Sequence, residues 1–112
     1  MTAISAGMVA VIFSSQRTAD DRAGYAAAAA AMDAAAARMP GYVGIEATRD
    51  ADGFGITVSY WRDTASAAAW RDDPAHGLIQ WAGRARWYAR YSVAVAVVDR
   101  AYRWQRESSD PE

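Results

Sequence analysis

Three residue types are missing from these 112 residues, cysteine, lysine and asparagine, and histidine occurs once. Without cysteine, disulfides, thiolate nucleophiles, zinc–thiolate sites and iron–sulfur clusters are excluded together, which fits a reducing cytoplasm. Without lysine, all twelve basic residues are arginine. Schiff-base chemistry and lysine general bases are therefore excluded, and the cations present are planar donors suited to oxyanions. A single histidine with only Asp72 and Asp73 near it in sequence makes no metal site. The apolar run Met8–Phe13 is too short for a signal segment and follows no positive charge, and no segment approaches membrane-spanning length. A net charge of −1 leaves little field to attract nucleic acid or anionic lipid, so neither is expected as a partner.

What is present is one packed domain's worth of apolar residues, 53% of the chain. Residues 1–7 form a flexible lead, 8–103 the domain and 104–112 a polar tail. Met8 to Phe13 reads as a buried first strand. Thr18 caps a helix with Asp20 and Asp21 in its first turn, apolar spacing at Tyr25, Ala28, Met32, Ala35 or Ala36, and Met39, and an end at Pro40-Gly41. The alanine run Ala26–Ala31 reads as a plain surface helix. Alternation at Val43, Ile45 and Ala47, a turn at Asp50–Gly53, and alternation at Phe54, Ile56, Val58 and Tyr60 make a β-hairpin. Asp63 or Thr64 caps a short helix through Trp70, and Pro74 starts another that runs to about Tyr88 or Arg90. Val93, Val95 and Val97 mark a last strand. The order β-α-β-β-α-β is the ferredoxin-like arrangement, an α+β fold with a four-stranded antiparallel sheet and its helices on one face. Both sides of that sheet carry apolar residues, and a second copy is the simplest cover for the side without helices.

The aromatics concentrate between Tyr60 and Tyr91, around His76. After Pro74, His76, Ile79 or Gln80, Gly83 and Trp87 share one helical stripe. Glycine inside a helix is accepted where something approaches the backbone closely, and Trp61, Trp70 and a bound molecule are the candidates at Gly83. His76, in a first helical turn, favours the neutral ring and suits a general base; a capping or packing histidine is the plainer reading. Arg84, Arg86 and Arg90 alternate with Trp81, Trp87 and Tyr88 as an outer helical face. Arg84 is the one placed to reach a cleft and stabilise negative charge on oxygen.

Pro40-Gly41-Tyr42-Val43-Gly44, the run Gly55 to Trp61, Trp70, His76, Gly83, Trp87-Tyr88, Tyr91 and Val97 to Tyr102 together resemble the antibiotic biosynthesis monooxygenase family over about residues 8–103. The resemblance implies a ferredoxin-like homodimer, a dimeric α+β barrel, with a pocket between each sheet and its helices. It also implies one of three functions. The first is cofactor-independent oxygenation of a small hydrophobic, aromatic compound by O2, with His76 and Arg84 catalytic and Trp61, Trp70, Ile79, Gly83 and Trp87 holding the substrate. The second is heme binding and degradation. The third is a non-catalytic ligand-binding or assembly module. The heme-degrading branch uses an asparagine that this chain lacks, and Gln80 stands where its axial histidine falls; the aromatic-oxygenating branch also uses an asparagine with no counterpart here.

Overall fold

The computed structural model describes residues 2–107, without the side chains of Ala75 and Leu78; residues 108–112 of the expected tail lie outside it. The elements run β1 (Val9–Arg17), α1 (Arg22–Ala37), β2 (Tyr42–Arg49), β3 (Phe54–Trp61), α2 (Thr64–Arg71), α3 (Pro74–Ala82), a π-helical turn (Gly83–Trp87) and β4 (Tyr88–Val97). The strands form one sheet in the order β2-β3-β1-β4, antiparallel throughout. This is the ferredoxin-like arrangement expected from the element order.

Several boundaries differ from the sequence reading, and β1 runs on past Phe13 to Arg17. α1 is capped by Asp21, in the left-handed region at φ 53°, whose carboxylate accepts from the Gly24 N–H. Thr18 instead ties β1 to the end of the π-turn: its N–H donates to the Trp87 carbonyl at 2.8 Å and its hydroxyl to the Arg86 carbonyl at 2.7 Å. The helix from Pro74 ends at Ala82, where the π-turn closes with the Tyr88 N–H on the Gly83 carbonyl, so Tyr88–Tyr91 are strand. The extra residue of a π-turn rotates the chain from helix to strand, which helical spacing alone does not reveal. Asp63 is the cap of α2, accepting from the Ser66 N–H at 2.8 Å and the Ser66 hydroxyl at 2.7 Å.

Strand register sorts the two sheet faces. Val9, Val11, Phe13 and Ser15 pair with Trp61, Ser59, Thr57 and Gly55 on β3, and with Val97, Val95, Val93 and Tyr91 on β4; this is the face toward the helices. The C-terminal half of α1 and the turn after it pack against this face, Met32, Ala35, Ala36 and Met39 meeting Val9, Trp61, Ala67 and Trp70. The N-terminal half carries Tyr25, Ala28 and Ala29, and methyl groups are too short to span the gap to the sheet. A void follows, and Ala28 and Ala29 line it, so the alanine run is not only a surface helix.

Candidate active site

The void is a cavity of about 280 Å³ between the helices and the inner sheet face, near the lower end of pockets that take small organic ligands. Its walls are mostly apolar and aromatic, with a few polar groups among them. The inner valines of β4 are exposed, Val93 at 49% and Val95 at 62%, so the cavity opens along that strand.

One wall, Trp70 and His76, is backed by a stack of rings. Tyr42 meets Trp61 edge-on at 5.7 Å, Trp61 stacks on Trp70 at 6.0 Å, and Trp70 lies flat against His76 at 4.5 Å and 8°. Trp61 is fully buried and donates its indole N–H to the Ser59 hydroxyl at 2.9 Å, which fixes the plane on which the others rest. α2 delivers Trp70 and the first turn of α3 delivers His76, whose backbone N–H donates to the Asp73 carboxylate.

His76 Nδ1 lies 3.0 Å from the Trp70 carbonyl oxygen. A carbonyl only accepts, so Nδ1 carries the proton and Nε2 keeps a lone pair. Burial lowers the imidazole pKa below its ordinary 6.5, against the raising effects of the Trp70 carbonyl and the Asp73 charge. The ring is thus neutral at pH 7 and lines the cavity, the state a general base requires.

A second wall comes from α1, the π-turn and β4. Trp87 donates its indole N–H to the Asp21 carboxylate and meets Tyr25 edge-on at 6.0 Å. Tyr25, Tyr88 and Tyr91 complete the wall beside Phe13. At Gly83 a Cβ would lie 2.8 Å from the Tyr88 ring. The close approach expected there is real, and Tyr88 makes it.

Of the residues singled out from sequence, the fold brings Trp70, His76, Ile79 and Trp87 to the cavity. Trp61 lies behind Trp70 rather than on the wall, and Gly83 is buried against Tyr88. Arg84 is exposed; its guanidinium donates to the Tyr91 hydroxyl at 2.6 Å and so acts on the wall through that ring. Sequence reasoning gave no site role to Tyr25, to Tyr88 or to the arginine behind them, Arg49. The signal for Tyr25 was present, since it is the one aromatic in an alanine helix.

Among the described residues, no group of three or more His, Asp or Glu side chains is placed to hold a metal ion. The residues do not fit heme either. Gln80, not histidine, stands at the expected axial position, and a cavity of about 280 Å³ is small for a porphyrin.

A four-stranded antiparallel sheet with its helices over a ligand-sized aromatic cavity defines a ferredoxin-like α+β domain with a small-molecule pocket. The chain belongs to the antibiotic biosynthesis monooxygenase family, which residues 8–80 match. It is similar to the uncharacterized protein YqjZ of Bacillus subtilis (strain 168), at 44% identity over 101 residues, covering 90% of this chain and 88% of that protein. Among solved structures it is similar to SnoaB, a cofactor-independent oxygenase from Streptomyces nogalater (TM-score 0.70, 18% identity, 96% of this chain and 100% of that one). It is also similar to Rv0793 from Mycobacterium tuberculosis (TM-score 0.72, 21% identity, 85% and 99%). At these identities the two structures speak to the fold. No helix among the described residues is long and apolar enough to cross a membrane.

Proposed function

We propose that the protein is a cofactor-independent monooxygenase acting with O2 on a small hydrophobic, aromatic compound. The observation that carries this reading is His76: a neutral imidazole with Nε2 free to accept, on the wall of an aromatic cavity. In this chemistry the substrate supplies the electrons. An activated ring methylene and one O2 give a ring carbonyl and one water: both C–H bonds break, one oxygen atom ends in the new C=O and the other leaves with the two hydrogens. No external reductant is needed. Nε2 removes the methylene proton, the carbanion is spread over the rings, and a pocket poor in water keeps it reactive toward O2. Trp70, Ile79 and Trp87 hold the substrate, Trp61 braces Trp70, and Gly83 makes room for Tyr88. Arg84 is a positioning residue for Tyr91.

A homodimer belongs to the same reading. The β4 valines around the opening are exposed, as are Phe54 and Ile56 on the sheet face without helices and Tyr102 and Trp104 beyond β4. Exposed apolar surface of this extent marks a contact site, and a second copy meets it with matching surface. Sedimentation gives a dimer mass on this reading; a monomer at micromolar concentration contradicts that part.

The test of the activity is O2 uptake with anthrone, whose methylene is made acidic by two rings and a ketone. His76→Ala lowers the rate by about 10²–10⁴-fold, the usual contribution of a general base. Unchanged uptake in the variant removes His76 from the chemistry.

A further inference from the structure

At the end of the cavity away from His76, the register places Arg49, Gly55, Ser15 and Tyr91 in one row across the sheet. Gly55 has no side chain, and a Cβ there would lie 2.7 Å from the Arg49 guanidinium carbon. That gap lets Arg49 cross the sheet. Its guanidinium donates to the Gly53 carbonyl at 2.6 Å, the Ser15 carbonyl at 3.2 Å, the Ser15 hydroxyl at 2.8 Å and the Tyr25 hydroxyl at 3.1 Å. These acceptors are all neutral, and no carboxylate pairs with Arg49 among the described residues. A second cation, Arg17, sits 3.9 Å over the Tyr25 ring. The Tyr25 and Tyr88 rings meet edge-on at 6.0 Å, and both residues line the cavity.

Two hydroxyls have two protons, and a bond between them would use only one. Arg49 only donates, so it takes up neither. At least one O–H of the pair is therefore left without a protein acceptor among the described residues, and two half-buried guanidinium groups polarise it. We propose that Tyr25 and Tyr88, backed by Arg49, form a hydrogen-bond donor site for a carbonyl or enolate oxygen on the ligand, at the end of the cavity opposite His76. The assignment rests on the ligand-cavity reading above and narrows it. The compound bound carries an oxygen on its ring system, and the negative charge that develops when His76 takes a proton collects on that oxygen.

The pair 1-tetralone and tetralin isolates the oxygen, because the two share a ring system and differ in C=O against CH2. Dissociation constants are measured by protein-observed NMR titration for the wild type, Tyr25→Phe and Tyr88→Phe. Both variants keep the ring that packs the wall, and thermal melting checks the fold. Each variant weakens 1-tetralone by about fivefold, the value of one hydrogen bond, and leaves tetralin unchanged. Arg49→Gln, which removes the charge behind the pair, gives a loss of the same sign. Equal losses for both ligands mean a packing role and overturn the donor site, as does no loss for either; in both cases the cavity reading stands. If neither ligand binds the wild type, the cavity reading and the donor site fall together.

Discussion

Filling the cavity from α1 separates a ligand site from a loosely packed core. Ala29 lines the void, one helical turn from both Tyr25 and Met32. Leucine there adds three carbons at almost no cost in helix propensity. At about 0.8 kcal/mol per buried carbon the ceiling is about 2.4 kcal/mol, and since the cavity opens along β4 the usable part is about 1 kcal/mol. For a domain of this size that raises Tm by about 5 °C. The same side chain occupies space a ligand needs, so anthrone affinity in a fluorescence titration falls on the order of tenfold, about 1.4 kcal/mol. Stability and binding thus move in opposite directions. A core already filled gives the reverse, with about 1–3 kcal/mol of overpacking strain, a lower Tm and no effect on binding. That result would refute the claim that the alanines of α1 leave working space.

Three further outcomes follow. Asp63→Ala lowers Tm by a few degrees at pH 7, because α2 loses its cap. The Ser66 hydrogen bonds hold the Asp63 carboxyl below its ordinary 3.8, so its contribution is present above that value and lost as pH falls through the folded one; wild type and variant melt alike in strong acid. His76 has the same sign for a different reason. Its folded pKa lies below 6.5, chiefly through burial, so the unfolded chain takes up the proton first. Urea midpoints of the wild type fall between pH 7 and 5 more than those of His76→Phe. Hemin, added to the purified protein, gives no saturable Soret shift; a saturable one would restore the heme reading.

The topology was legible because each strand announced itself by alternation or by an unbroken apolar run, and some helix ends by a cap, proline or glycine. Asp63 and Pro74 acted as their residue types dictate. The π-turn was not legible, since Gly83–Trp87 keeps near-helical spacing while changing the direction of the chain. Within the site, residues close in sequence were found, namely Trp70, His76, Ile79 and Trp87. Tyr25 comes from α1 and Arg49 from the far end of β2, and only the register of Arg49 with Gly55 brings the guanidinium to the Tyr25 hydroxyl behind the cavity wall. Composition showed many rings in a small chain, but not that some brace a wall while others face the void.

With one histidine in the chain, NMR of a 15N-histidine-labelled sample reads its ring without overlap. A neutral base on the cavity wall gives an Nδ1–H tautomer with an apparent pKa below 6.5, and a shift of the Nε2 resonance when anthrone binds. An imidazole that titrates at or above 6.5 and ignores the ligand would contradict the claim that a neutral, sheltered base faces the cavity.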